Sequence, residues 1–371
     1  MKIGINARFL LKSNLEGIGW YSYQILQTLV KNHPEHEYIF FFDRPYDPDF
    51  VFNKSVTPIV LFPPARHPIL WYLWFEFAIP KALKKHKVDL FLSLDGFASL
   101  STKVPQYVVV HDLAYIHFPN HIPFFVRKYY QKFVPRQIEI AKHLFAVSKA
   151  TKEDIVAQFK IPENKISIAY NGVRSEFKPI NMEDSINIKH KYSNGKNYFL
   201  YVGAIHPRKN IVNLVKAFNL FKKSSGSDFI LMIVGRKAWQ FENVEIEINQ
   251  SLYKEDILLY PYMETKTLAD ITASCFAAIN PSFLEGFGVP ILEALYCDVP
   301  VLVSNQFSLP EIAGPGAYTF DPTCIDQISD SMNFVINDPN RNQKINLSKI
   351  HRTLFSWEKT TEAIYNQFIS F

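Results

Sequence analysis

Pro281-Ser282-Phe283-Leu284-Glu285-Gly286-Phe287-Gly288-Val289-Pro290-Ile291-Leu292-Glu293-Ala294-Leu295 follows the short apolar run Ala277–Asn280. The order is strand, glycine turn, helix. Gly286 and Gly288 permit close backbone approach and positive φ. Pro290 suits the first turn of a helix, where its missing N–H is no loss, so a helix is predicted to begin near Val289. Its free N–H groups and dipole would face the strand-to-helix loop, where such folds hold a phosphate. Glu285 in the glycine turn and Glu293 about one turn into the helix can accept hydroxyl hydrogen bonds, the first from a hexose and the second from a ribose. Together they would bracket a sugar nucleotide. The plain alternative is a tight turn with a solvated glutamate on either side.

The same alternation runs outward in both directions. Apolar runs at Lys2–Asn6, Tyr38–Phe42, Asp89–Ser93, Tyr107–Val110, Leu144–Val147 and Ile166–Tyr170 are separated by helical or loop patterns. After the turn Asn171-Gly172-Val173, the polar stretch Asn181 to Asn197 reads as a linker. A second series follows at Tyr198–Val202, Phe229–Val234, Ile257–Leu259, Ala277–Asn280 and Val299–Val303. This pattern predicts α/β architecture with two doubly wound, Rossmann-like domains, 1–180 and 181–355, facing across a cleft, and a final helix over 356–371. Ligands in such sheets bind at the carboxyl ends of the strands.

Composition agrees and narrows the function classes. A chain of 371 residues exceeds one ordinary core, and 48% hydrophobic with 20% charged residues is globular. The net charge of +5 is mild and no dense basic run is interleaved with aromatics, which argues against nucleic acid as a partner. Three cysteines, Cys275, Cys297 and Cys324, have no metal-ligand spacing and fit a reducing compartment. There is no apolar signal core and no apolar run long enough to span a bilayer, so a cytoplasmic location is expected, with attachment to the inner face of a membrane as an option.

Other residues can carry chemistry. Gly203-Ala204-Ile205-His206-Pro207-Arg208-Lys209-Asn210 places two cations at a helix start after a strand and a glycine turn. Arg208 through its planar fork and Lys209 as a point charge can clamp a diphosphate, or both can simply be solvated. Val108-Val109-Val110-His111-Asp112 ends a buried strand in a histidine, either a substrate contact or a histidine satisfied within the core. Gly17-Ile18-Gly19 resembles half of a dinucleotide fingerprint, but Ser22 replaces its third glycine and the loop lies too far from the first strand. It reads instead as a loop whose backbone lines a cleft, with a plain flexible loop as the alternative. Pro63 to Phe77, rich in Trp and Phe and followed by Lys81, Lys84, Lys85 and Lys87, can pack in a core, lie on an anionic membrane or grip a lipid-linked acceptor; packing is preferred.

These segments resemble retaining glycosyltransferase family 4. Glu285 to Glu293 matches its Glu-x7-Glu motif, Gly203 to Asn210 its Gly…Pro-Arg-Lys-Asn run, and His111-Asp112 its His-Asp pair. Ser308-Leu309-Pro310-Glu311 matches a further segment, in which Glu311 is read as structural. The likeness is strongest over residues 198 to 321. It implies the GT-B fold, with the last helix crossing back onto the first domain. It implies hexose transfer from a nucleotide diphosphate sugar to a hydroxyl of a glycan or lipid-linked acceptor. Donor-binding positions would be Gly203, Arg208, Lys209, Glu285, Gly286, Phe287, Gly288 and Glu293. His111 and Glu285 would stand at the reacting sugar, and Gly17 and Gly19 would line the cleft. Ala204 replaces the arginine that some relatives carry after the glycine, so one phosphate contact is missing. The two cations would do the work of a divalent ion, so no metal and no cofactor is expected, the donor being a substrate. The motif set looks most like bacterial mannosyltransferases of envelope polysaccharide assembly, with GDP-mannose as the leading donor. Two alternatives remain open: a nucleotide-sugar epimerase on the same fold, and a non-catalytic nucleotide- or glycan-binding module.

Overall fold

A computed structural model describes residues 1–12, 15–238 and 241–369. It contains two compact α/β units, the first comprising residues 1–171 with the tail from Phe355, the second residues 172–354. The first unit holds seven strands: β1 Lys2–Asn6, β2 Glu37–Phe42, β3 Val56–Val60, β4 Leu90–Ser93, β5 Gln106–Val110, β6 His143–Ala146 and β7 Ile166–Ile168. Their spatial order is β3-β2-β1-β4-β5-β6-β7, every pair parallel. The second unit holds β8 Tyr198–Val202, β9 Ile230–Val234, β10 Ile257–Tyr260, β11 Ala277–Asn280, β12 Val301–Ser304 and β13 Tyr318–Phe320. They are ordered β10-β9-β8-β11-β12-β13, again all parallel. Each sheet is thus doubly wound. β9 is a wholly buried apolar run, and β4 is wholly buried and apolar up to Ser93, as parallel strands covered on both faces must be.

Winding direction reverses between β1 and β4 in the first sheet and between β8 and β11 in the second. Beyond the carboxyl ends of such paired strands the following loops part and leave a crevice. In the first unit this place is filled by polar contacts: Asn6 Nδ2 donates to Ser93 Oγ at 3.0 Å, and Arg8 is ion-paired to Asp95, both buried. In the second unit it brings the loop after β8 beside the loop after β11.

Several elements differ from the sequence expectation. β3 and β13 were not anticipated, because β3 is a half-exposed edge strand containing Pro58, a position that tolerates a missing donor, and β13 has only three residues. The expected linker from Asn181 is a helix, Met182–Ser193. Asn181 caps it by accepting from the Asp184 N–H at 2.8 Å, Glu183 and Asp184 occupy its first turn, and Asn194 ends it at φ 52°. Only Ser193 is buried on it, so no apolar stripe announces it. The division between units lies between Asn171 and Gly172, at the turn signal and ahead of the 180/181 boundary expected where the polar stretch begins, because Arg174 and Phe177 are anchored within the second unit.

The tail helix Trp357–Ile369 belongs to the first unit and buries Trp357, Ile364 and Phe368. Trp357 meets Tyr21 of the helix Gly17–Asn32 edge-on at 5.7 Å, and Phe368 meets Tyr107 at 4.9 Å. In the segment 63–77, Trp74 and Phe75 are fully buried, and Glu76 accepts from the Leu100 N–H and the Ser101 hydroxyl, so this part packs as core.

Candidate functional site

The loops after β8 and β11 are stitched together. Pro207–Lys209 forms one 3₁₀ turn, and Asn210, in the left-handed region at φ 62°, buries its side chain and donates to the Pro281 and Pro322 carbonyls at 3.1 and 2.7 Å. The Phe283 N–H donates to the Arg208 carbonyl, and Arg208 Nη1 donates to the Leu284 carbonyl, each at 2.9 Å. Arg208 and Lys209 are therefore set against Glu285 rather than free in solvent. Asn210 was quoted in the sequence run, but its bridging role was not visible there.

Glu285 is the electrostatic centre. Its side chain is 11% exposed, and its Oε1 receives Lys209 Nζ, Ser282 Oγ at 2.9 Å and Asn280 Nδ2 at 3.3 Å, while Arg208 stands 3.7 Å from Oε2. Burial alone would raise its pKa, but the two cations and the hydrogen bonds outweigh it and hold the carboxyl down at about 2. A carboxyl depressed below its ordinary 4.5 contributes stability above that value and loses it as pH falls toward 2. Unfolding by denaturant at stepped pH should show a loss of about 3 kcal/mol across that window, and Glu285→Gln should flatten it. An unchanged pH profile in the variant would refute this assignment.

Gly288 lies at φ 100°, a conformation that strains any other residue, and directly precedes the helix Val289–Tyr296 with Pro290 in its first turn. Gly286 is not in the left-handed region, a correction to the expectation for both glycines: the chain reverses at one residue only. Phe287 is buried, and the buried Ser308 hydroxyl lies 2.8 Å from the Glu285 carbonyl and 3.0 Å from that of Phe287, pinning the turn from the next loop. Glu311 occupies the first turn of the short helix Leu309–Ala313, where its charge suits the helix dipole.

Glu293 is 3% exposed and ion-paired with Arg174, whose Nε and Nη2 both reach Oε1, at 3.2 and 2.6 Å. Burial raises its pKa and the guanidinium opposes that rise. Arg174 was missed in the sequence, where it follows the turn Asn171-Gly172-Val173 with no spacing to mark it.

Gly203 contributes backbone: its N–H donates to the Val234 carbonyl at 2.9 Å, and its own carbonyl faces Gly235. The remaining candidates, His111, Gly17 and Gly19, belong to the first unit. His111 Nε2 lies 2.8 Å from the Leu94 carbonyl, which can only accept, so Nε2 carries the proton. Burial lowers the imidazole pKa, keeping the ring neutral and Nδ1 an acceptor. Gly17 and Gly19 are not a loop: Gly17 opens the helix Gly17–Asn32. A Cβ at Gly17 would touch nothing within 4 Å, whereas one at Gly19 would lie 2.9 Å from the Phe9 carbonyl, so Gly19 serves helix packing.

Comparison with known proteins covers most of the chain. The family model described as Glycosyltransferase Family 4 matches residues 15–177, and that described as Glycosyl transferases group 1 matches residues 182–350. O-antigen chain mannosyltransferase B of Escherichia coli is 28% identical over 260 residues, 70% of this chain and 68% of that protein. O-antigen chain mannosyltransferase RfbU of Salmonella typhimurium is 27% identical over 277 residues, 74% of this chain and 71% of that one. Among solved structures, Anabaena HepE in complex with UDP and glucose superposes with a TM-score of 0.75 at 15% identity, covering 100% of this chain and 99% of that chain.

Proposed function

We propose, from the premise that this chain belongs to glycosyltransferase family 4, that it is a retaining hexosyltransferase acting on a nucleotide diphosphate sugar. The observation that carries the reading is the contact of Lys209 and Arg208 with Glu285 at the junction of the β8 and β11 loops. Cations and a carboxylate held together there match the two needs of the donor, charge balance at the diphosphate and hydrogen-bond acceptance from the sugar. GDP-mannose is the proposed donor, supported by the motif set and by the two relatives named as O-antigen mannosyltransferases. The acceptor is proposed to be a hydroxyl of a glycan or lipid-linked saccharide in envelope polysaccharide synthesis.

In the proposed reaction, the C1–O bond to the diphosphate breaks as the acceptor oxygen bonds C1 on the same face. The acceptor proton passes to the departing phosphate oxygen. Lys209 and Arg208 balance the charge that develops on the diphosphate, which is also why metal independence is proposed. Glu285 accepts from hexose hydroxyls and Glu293 from the ribose, so the donor's position is fixed before chemistry. The test is incubation with GDP-mannose or UDP-glucose in EDTA, with a polyprenyl-diphosphate saccharide acceptor, followed by NMR of the anomeric proton. An α-mannoside is expected. An inverted linkage, consumption of UDP-glucose alone, or an epimerised nucleotide sugar released without acceptor would each overturn part of the reading.

Attachment to a membrane surface is proposed for the first unit. No helix among the described residues is long and apolar enough to cross a bilayer. A groove of about 620 Å³ there is lined by Ile69, Tyr72, Phe125 and Phe133, with Lys128, Lys132 and Arg136 recurring every four residues along one helix face. Ile69 and Phe125 are 66% and 68% exposed, a pairing of apolar and cationic groups that suits anionic lipid. Co-sedimentation with phosphatidylglycerol vesicles is expected and should be lost in Lys128→Glu/Lys132→Glu. Equal sedimentation of parent and variant would contradict it.

A further inference from the structure

We propose that Arg174 is a positioning residue that gives the donor site its preference for a ribose: it holds the Glu293 carboxylate by one oxygen and leaves the other for the sugar. The inference rests on the donor-site reading above. Arg174 spends two of its N–H groups, Nε and Nη2, on the same oxygen, Oε1. A pairing whose only task was stability would gain more from the parallel fork, one N–H to each oxygen. The guanidinium is itself fixed from two further sides: Nη1 donates to Thr265 Oγ1 at 2.9 Å, and the Phe177 ring lies 4.9 Å from its centre.

Among the described residues no donor reaches Glu293 Oε2. An ionised carboxylate oxygen accepts two hydrogen bonds, which matches the two adjacent hydroxyls of a ribose. Glu293 also stands on the helix whose N-terminus is the Gly288 turn carrying Glu285, so the open oxygen belongs to the same element as the donor loop. Arg174 therefore does two things at once. It opposes the upward pKa shift that burial imposes on the carboxylate, and it decides which of its oxygens is available.

The test is calorimetric binding of GDP and UDP, each beside its 2′,3′-dideoxy analogue, to the parent, Arg174→Gln, Arg174→Lys and Glu293→Gln. The parent is expected to prefer the ribose form of whichever nucleotide binds by about 10- to 100-fold, the range for hydrogen bonds to a charged group. In Arg174→Gln and Glu293→Gln the ratio should fall to within about threefold. Arg174→Lys should be intermediate, keeping the charge but not the planar fork. Thermal melting reports whether each variant folds; Glu293→Gln needs no counter-charge and Arg174→Lys retains one, so at least one ratio remains measurable. If Arg174→Gln and Arg174→Lys weaken both nucleotide forms equally and keep the ratio, Arg174 is only a structural partner and the inference fails. A parent that binds both forms alike overturns it together with the ribose role of Glu293. A parent that binds no nucleotide sinks the donor-site proposal itself.

Discussion

Replacing Lys209 with Met is expected to lower kcat by about 10²- to 10³-fold while donor affinity falls much less. Its ammonium contacts Glu285 Oε1 at the place proposed for the diphosphate, where negative charge grows as the C1–O bond breaks. A cation aimed at developing charge lowers the barrier more than it strengthens the ground state, so the loss belongs in kcat. Met keeps most of the aliphatic stem and hence the packing. Stability should fall by only about 1–3 kcal/mol, because Arg208, Ser282 and Asn280 still surround the carboxylate. Steady-state kinetics beside thermal melting separate the two effects. A kcat within about threefold of the parent in a folded variant would remove Lys209 from the chemistry.

Gly235→Ala is expected to be the most damaging single methyl in the second unit. A Cβ there would lie 1.9 Å from the Gly203 carbonyl oxygen and 2.7 Å from its carbon, both backbone atoms that no rotamer change can move. Gly235 also donates to the Tyr260 carbonyl, and Gly203 to that of Val234, so the collision sits where β8, β9 and β10 release their loops. Relief requires shifting the Gly203–Lys209 segment. A loss of about 4 kcal/mol or more is expected, a fall in Tm of roughly 8–16 °C for a unit of this size, with nucleotide binding weakened in whatever remains folded. Gly226→Ala is the control: a Cβ there meets nothing within 4 Å, and only its φ of 60° opposes the change, at about 1 kcal/mol. Equal melting temperatures for Gly235→Ala and the parent would mean that the two loops are not packed as described.

How far the sequence could be read follows from what each residue does locally. The doubly wound sheets were legible because central parallel strands such as Ile230–Val234 are uninterrupted apolar runs between helical patterns. The turn at Gly288 and the helix after it were legible because positive φ and an N-terminal proline are imposed by the chain itself. The helix Met182–Ser193 was not, since it buries almost nothing and its caps are its only signal. Arg174 and Asn210 escaped for another reason. Their roles depend on partners more than a hundred residues away, Glu293 for one and Pro322 for the other, and no local pattern encodes such a meeting. The helix start at Gly17 was not legible because a glycine pair looks like a loop, whereas Gly19 is small so that a helix can approach the Phe9 carbonyl.

The second unit is proposed to hold a nucleotide diphosphate between its basic pair and its two glutamates. Titration calorimetry of GDP and UDP in EDTA, against the parent and Lys209→Met/Glu293→Gln, addresses it directly. One nucleotide should bind per chain, and the double variant should bind it at least about 100-fold more weakly, since two charge-assisted contacts are removed. No binding of either nucleotide to the parent, or equal affinity in the folded double variant, would contradict it.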